Sequence, residues 1–384
     1  MKPLIKWPGG KSGELGEILP YIPEYDRYIE PFAGGAALFF HLMPEKAVLN
    51  DSSENLIRFY RLLKADDQKL KELLELICDM LDAIKEGFEQ EYETIWAAYR
   101  LMEMAAKENL NVEKLHVHRD AAAPVLADFM EKMADRSGFS DIIPDREAFE
   151  CEMAYSLGDK IRRTVRNNQK KPFTPEDLKA NLLTGLISGF YLYERTLLNE
   201  IALRKRDASE AVATAIFYYV RENCYGSMFR YNRAGEFNIP YGGISYNDKN
   251  MREKVARMFA PETISLMQRT ELHCADFEDF AAGMELSEKD FLFLDPPYDT
   301  EFSDYEGREF GHRDQERLAD FLKSTKASFL LVIKNTDYIR SLYEGHFRIL
   351  NFEARYLYNM RSRNERKTNH LIITNIPEEE GPLA

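Results

Sequence analysis

The sequence predicts an α/β protein whose parallel sheet is interrupted along the chain by a long helical insertion. Three observations predict it. Short, apolar, β-rich runs lie near both ends of the chain, helical patterns alternate with them, and the stretch from about 66 to 222 holds no convincing strand pattern. Runs apolar on both sides and separated by helices are those of a parallel sheet covered on both faces.

The elements follow in order. "RYIE" (27–30) is the first strand, and 35–43 behind it reads as a helix. "AVLN" (47–50) is the second, with a helical pattern over 53–64. The middle is amphipathic at helical spacing, as in "DQKLKELLELICDMLDAIKEGF" and "EDLKANLLTGLISGFYLYERTLLNEIALRK". "SGFSDIIPDRE" (137–147) and "NNQKKPFTPED" (167–177) punctuate it. Strands resume with "ELHCA" (271–275), "FLFL" (291–294), "SFLLVI" (328–333), "FRILNF" (347–352) and "HLIIT" (370–374), with a helix over 313–324. A sheet domain built from 1–65 plus 260–384, with 66–259 inserted, accounts for this order.

Length and composition fit that plan. A chain of 384 residues, 45% hydrophobic and rich in aromatics (24 Phe, 21 Tyr), can fold into two domains with a large core. No apolar run approaches the ~20 residues that span a bilayer, so no membrane is expected. The opening "MKPLIKWPGG" reads as neither a signal peptide nor a lipidation motif. Four cysteines without a CxxC pair suit a reduced, cytoplasmic setting. The net charge of −14 argues weakly against a nucleic-acid partner, but basic residues cluster in "KIRRTVRNNQKK" (160–171) and "RSRNERK" (361–367). Either run alone reads first as a solvated face.

Ligands of open α/β sheets bind outside the carboxyl ends of the strands, and an acid stands at four of those ends: Glu30, Asp51, Asp276 and Asp295. Gly34 and Gly35 allow a tight turn and close approach to a ligand before the following helix. Asp51 sits near the spacing at which an acid takes ribose hydroxyls. Neither G-x-G-x-x-G nor G-x-x-x-x-G-K-[ST] is present. The pattern therefore favours a nucleoside carrying a single carboxylate, the shape of S-adenosylmethionine, over a pyrophosphate cofactor. By itself "FAGGAALFF" reads equally as a glycine turn before a core helix.

"FLFLDPPY" (291–298) carries the chemistry. An aromatic amine such as adenine N6 is a poor nucleophile because its lone pair is delocalised into the ring. The Asp295 carboxylate and the Pro296 carbonyl, the latter on a turn stiffened by Pro296 and Pro297, can accept from its two N–H groups. Tyr298 offers a face for a base taken out of its helix. By itself the four-letter motif reads nearly as well as a cis-proline turn capping a core strand.

These residues resemble the N6-adenine DNA methyltransferases similar to the Dam methylase, the D12 class with its DPPY motif. "KWPGGK" (6–11), "YIEPFAGGAALFF" (28–40), "LNDSSENLIRFY" (49–60), "YGSMFRYNRAGEFNIPYGG" (225–243), "CADFEDF" (274–280), "DPPY" and "YNMRSRNERKTNHLIITN" (358–375) match its motifs in order. The resemblance implies a Rossmann-like, S-adenosylmethionine-dependent methyltransferase domain with an inserted, mostly helical target-recognition domain. It implies that Trp7, Lys11, Glu30, Phe32, Gly34, Asp51, Asp276 and Phe277 line the cofactor pocket. Asp295, Pro296, Pro297 and Tyr298 would hold the target adenine, without a metal. Lys6, Tyr225, Arg230, Asn232 and Asn238 would lie at double-stranded DNA, with a DNA-contacting hairpin near 225–243, and Arg233 beside them suits a phosphate. A restriction endonuclease is a candidate counterpart, and GATC is the first site the resemblance suggests.

The chain departs from the family pattern at Ala36, where a third glycine is frequent, and at Met228 and Phe229 in the hairpin region. Roughly 95–205 matches nothing. A catalytically silent DNA- or cofactor-binding protein is the competing class, and the intact motifs argue against it. N4-cytosine and RNA-adenine acceptors remain alternative substrates; Asp295 disfavours the former.

Overall fold

The computed structural model describes residues 1–108, 117–297, 310–355 and 367–378. The strands are β1 (Arg27–Glu30), β2 (Ala47–Asn50), β3 (Thr270–His273), β4 (Asp290–Leu294), β5 (Ser328–Lys334), β6 (Arg348–Arg355) and β7 (Lys367–Thr374). Every apolar run singled out in the sequence is thus a strand. The α-helices in chain order begin with α1 (Leu15–Ile18), α2 (Ala37–Leu42) and α3 (Glu54–Lys64). Then come α4 (Gln68–Gln90), α5 (Tyr92–Lys107), α6 (Val117–Met133), α7 (Phe139–Ile142), α8 (Arg146–Lys170), α9 (Pro175–Ala202) and α10 (Glu210–Asn223). The last are α11 (Met251–Met258), α12 (Pro261–Gln268), α13 (Phe277–Ala282), α14 (His312–Ser324) and α15 (Asp337–Tyr343).

The chain forms two compact units. The first comprises Met1–Asp66, Gly226–Tyr231 and the chain from Met258 onward; the second comprises Asp67–Tyr225 and Asn232–Arg257. The first unit holds a seven-stranded sheet in the order β3-β2-β1-β4-β5-β7-β6. The pairs β2–β3, β1–β2, β1–β4 and β4–β5 are parallel. β7 runs antiparallel to both β5 and β6, unlike the wholly parallel sheet expected. Apolar runs encode burial, not direction. The spacing does encode it: about eleven residues separate β6 from β7, too few for the crossover that a parallel neighbour requires.

Chain order reverses at β1, which lies between β2 and β4. A crevice opens at the carboxyl ends of the strands at such a point. The strands there are buried throughout, with all five residues of β4 inaccessible. On one face Phe277, Phe280, Leu318, Leu322, Ile339 and Tyr343 pack against Leu292, Leu294, Leu331 and Ile333 to form a core.

The second unit is helical. Asp67, Asp145, Thr174 and Ser209 each accept a bond from the backbone N–H three residues on, which fixes where α4, α8, α9 and α10 begin. α9 runs so close to α8 that a Cβ on Gly189 would stand 2.8 Å from the Cα of Met153. No helix among the described residues is long and apolar enough to cross a membrane.

Candidate active site

A cavity of about 650 Å³ opens at the strand ends of the first unit. All eight residues assigned to the cofactor line it: Trp7, Lys11, Glu30, Phe32, Gly34, Asp51, Asp276 and Phe277. So do Asp295, Pro296 and Pro297. Tyr298, the fourth residue assigned to the adenine, lies outside the described residues. Phe310 and Asp314 also line the cavity and were not singled out from the sequence.

The loop after β1 explains one wall. Gly34 has φ +49°, and a Cβ there would stand 2.8 Å from Cδ1 of Trp7. Only glycine meets both demands. Its N–H donates to Asp51 Oδ2 at 2.9 Å, and its carbonyl accepts from the Tyr60 hydroxyl at 2.8 Å. The other Asp51 oxygen accepts from Ser53 N at 2.9 Å. Asp51 therefore ties the loops after β1 and β2 together while lining the cavity. Ala36 takes the left-handed conformation at φ 50°, which is where the family's third glycine would carry no steric cost.

Glu30 is a floor rather than an exposed ligand. It is 1% exposed, and its Oε1 accepts from the Tyr28 hydroxyl and from Phe39 N at 3.1 Å. Burial pushes its carboxyl up to about 8 against those bonds.

The turn that begins at Asp295 is locked from two sides. Lys11, 2% exposed, forms an ion pair with Asp295 Oδ1 and donates to the Gly9 carbonyl at 2.8 Å. The resemblance assigns Lys11 to the cofactor; it lines the cavity, and its ammonium also holds the acid expected to do the chemistry. Burial raises the Asp295 carboxyl from its ordinary value, and the Lys11 charge opposes that rise. On the other side Gln315 Nε2 donates to the Pro297 carbonyl at 2.9 Å. No cis peptide bond occurs among the described residues, so Pro296 and Pro297 do not form the cis-proline turn considered above.

Asp276 caps α13 through Glu278 N at 3.0 Å and is paired with Arg317. Arg317 also reaches Glu278 and Asp314, each at 2.7 Å, and lies over the Phe277 ring at 4.9 Å. One guanidinium thus pairs with three acids, of which Asp276 and Asp314 line the cavity. Near Lys11, Glu14 Oε2 stands 2.9 Å from Nδ1 of the fully buried His370. Nothing local in the sequence marks Gln315, Arg317, Glu14 or His370, since each acts on a partner distant along the chain.

The residues assigned to DNA are elsewhere. Lys6, Tyr225, Arg230, Asn232, Arg233 and Asn238 are not among the cavity's lining. The expected hairpin is held by isolated bridges rather than regular strands: Cys224 pairs with Tyr241, Tyr225 N donates to the Pro240 carbonyl at 2.9 Å, and Asn232 N donates to the Glu236 carbonyl at 2.9 Å. Arg230, Asn232 and Arg233 are exposed. Asn232 shapes a turn: its Oδ1 accepts from Ala234 N at 2.9 Å and Glu236 N at 3.0 Å, and its Nδ2 donates to Glu236 Oε2. Phe229 meets Trp7 edge-to-face, with centroids 5.0 Å apart. The basic run 160–171 forms the end of α8, where Arg163 pairs with Asp159 at 2.8 Å. Most of the run 361–367 lies outside the described residues.

The model of the D12 class N6 adenine-specific DNA methyltransferase family matches residues 7–132 and 163–358. A type II methyltransferase, M.CviBI, of Paramecium bursaria Chlorella virus NC1A is 28% identical over 382 residues, covering 98% of this chain and all of that protein. A type II methyltransferase of Lactococcus lactis, M1.LlaDCHI, is 24% identical over 98% of this chain and 95% of its own length. A DNA adenine methylase of Haemophilus influenzae is 33% identical over 140 residues, 34% of this chain and 46% of that protein.

Proposed function

We infer the details of the reaction from one premise: this chain belongs to the D12 class N6 adenine-specific DNA methyltransferases, and so methylates adenine in DNA. It takes the methyl group from S-adenosylmethionine, held in the cavity of the first unit, and acts on an adenine extruded from a short duplex site. The cavity fits that donor. Its 650 Å³ lies within the ordinary range of small-molecule sites. Trp7, Phe32 and Phe277 offer rings to a flat base, and Asp51 and Asp276 offer carboxylates to hydroxyl and amino groups. The chain carries no phosphate-binding loop to suit a pyrophosphate.

When bound, S-adenosylmethionine supplies an electrophilic methyl group on a sulfonium. The protein's part is to aim the amine. Lys11 occupies Oδ1 of Asp295, which leaves Oδ2 to accept one N6–H of the adenine. The Pro296 carbonyl accepts the other, on a turn that Gln315 holds through Pro297. The amine that accepts the methyl group from the sulfonium sulfur must shed one proton, and the hydrogen bond to Asp295 would mark its way out. Positioning and charge carry most of the rate enhancement. Tyr298 stacks on the extruded base. Lys6, Tyr225, Arg230 and Asn238 lie at the DNA, with Arg233 on a phosphate and Asn232 shaping the turn between them. The helical unit and its hairpin form the target-recognition part, a restriction endonuclease is the counterpart, and the protein works in the cytoplasm.

The observation that carries this reading is that Asp295 lines the same cavity as Asp51 and Asp276. Calorimetric titration with S-adenosylhomocysteine tests it and is expected to show one site. Asp51→Ala should weaken that binding by roughly 1.5–3 kcal/mol, the loss of a charged hydrogen-bond partner. Binding of NAD or ATP without binding of S-adenosyl compounds would overturn it.

A further inference from the structure

We propose that one face of α9, formed by Tyr191, Arg195 and Asn199, is a positioning platform that sets the segment 232–239 for reading DNA sequence. The proposal rests on the reading of that segment as the DNA reader. Asn199 makes both hydrogen bonds that a neighbouring strand would make to Phe237. Its Oδ1 accepts from Phe237 N at 2.7 Å, and its Nδ2 donates to the Phe237 carbonyl at 3.0 Å. Two residues on, the Ile239 carbonyl accepts from the Tyr191 hydroxyl at 2.8 Å and from Arg195 Nη1 at 3.0 Å.

The spacing explains why a helix can do this. Residues four apart on a helix lie on one face and rise by about 6 Å. Alternate residues of an extended chain are separated by about 6.6 Å. Positions 195 and 199 therefore keep step with 239 and 237, the longer Tyr191 side chain reaches the same Ile239 carbonyl as Arg195, and the helix side chains act as a substitute strand.

The bonds go to backbone atoms, so the platform does not constrain which side chains the segment presents. Phe237 and Ile239 are buried at 3% and 1% exposure, whereas Arg230 and Arg233 are exposed. The tip is closed independently by the Asn232 side chain. Helix α9 is a firm base because Gly189 lets it lie directly on the α8 backbone. A recognition segment closed by its own turn is thus anchored at Phe237 and Ile239 by a neighbouring helix. Orientation of that kind matters for readout, since a bidentate base contact requires the arginine fork to approach in one plane.

The test uses the full-length protein. The preferred site is first found by methylation profiling of random-sequence duplexes. The ratio of methylation rate at that site to rates at sites changed by one base pair is then compared among wild type, Asn199→Ala, Tyr191→Phe, Arg195→Ala and the Tyr191→Phe/Arg195→Ala pair. Asn199→Ala should lower the ratio by about tenfold and speed amide hydrogen exchange at Phe237, with S-adenosylhomocysteine affinity unchanged and a lowered thermal midpoint from the two lost bonds. Because Ile239 has two donors, each single loss at 191 or 195 should be mild, and the pair should lose more than the product of the two. Tyr191→Phe/Arg195→Lys should restore the ratio, since lysine keeps one donor. If Asn199→Ala unfolds the protein, the 191/195 pair carries the test. A wild-type ratio in Asn199→Ala, or in the pair, overturns the platform. Arg230→Ala is the separate control: an unchanged site preference there overturns Arg230 as the reader and leaves the platform to be judged by the α9 variants.

Discussion

The turn proposed for catalysis and the segment proposed to read DNA are held in opposite ways. At Asp295 the functional side chain is itself gripped, by Lys11, on a turn that follows a fully buried strand. At 230–238 Arg230, Asn232 and Arg233 are exposed, and the grip is on the backbone of Phe237. The difference follows from what each region must do. Chemistry on one amine needs one fixed carboxylate, so side-chain locks suit it. Recognition needs a fixed frame that tolerates different side chains. Backbone anchoring at Phe237 and Ile239 supplies that.

The comparison predicts a double dissociation, and its largest arm is at Asp295. Removing that carboxylate should cost on the order of 10³-fold in methylation rate, or ~4 kcal/mol in the barrier, without altering which sequence is preferred. Asp295→Ala would also strand the buried Lys11 ammonium, which by itself destabilises a protein. Asp295→Asn is therefore the cleaner variant, because it keeps an acceptor for Lys11. Rate measurements on the preferred and one-mismatch sites check it. A changed site preference in Asp295→Asn would show that the two regions are not separable.

A second effect belongs to the catalytic unit alone. The Glu30 carboxyl is raised from 4.5 to about 8 by burial. Between those values the folded chain keeps a proton that the unfolded chain has released, so folding is progressively disfavoured as pH rises through that window. The loss is of order 3–5 kcal/mol for a shift of this size in a fully buried group. Glu30→Gln removes the titration while keeping an acceptor for Tyr28 and Phe39. Its thermal midpoint should fall less between pH 5 and pH 8 than that of wild type. Parallel curves would mean that Glu30 stays ionised in its pocket.

Much of this was legible in the residues, and what was not has physical causes. The seven strands announced themselves because buried strands need uninterrupted apolar runs, as "FLFL" and "SFLLVI" show. The acids were found because sheets place ligands at strand ends, and Glu30, Asp51, Asp276 and Asp295 do line one cavity. Their partners were hidden. Lys11 meets Asp295 across 284 residues, and Arg317 reaches Asp276 from a helix whose sequence shows only an ordinary polar first turn. The direction of β7 was invisible to burial patterns. Tyr191, Arg195 and Asn199 look like any half-polar helix face, because nothing in a helix's own sequence says that another segment's backbone will dock on it.

The smallest predicted effect sharpens the other arm of the comparison. Arg230 and Arg233 are both exposed and lie three residues apart, on either side of the Asn232 turn residue. Arginine paired to guanine through both its nitrogens discriminates against other bases by about 1–3 kcal/mol, whereas arginine on a phosphate supports every sequence alike. If Arg230 reads a guanine, Arg230→Ala should relax the preference at one base pair by that amount, with little change at the others. Arg233→Ala should instead weaken all sites together and reduce the salt dependence of DNA binding by about one phosphate contact. Neither should alter the maximal rate at saturating DNA by more than a few fold, because neither lines the cavity that holds Asp295. Profiling of random-sequence duplexes, with GATC included as a fixed reference, measures the first effect, and binding at several salt concentrations measures the second. Uniform weakening by both variants would make the segment an electrostatic clamp, and the reader would then have to be sought outside it.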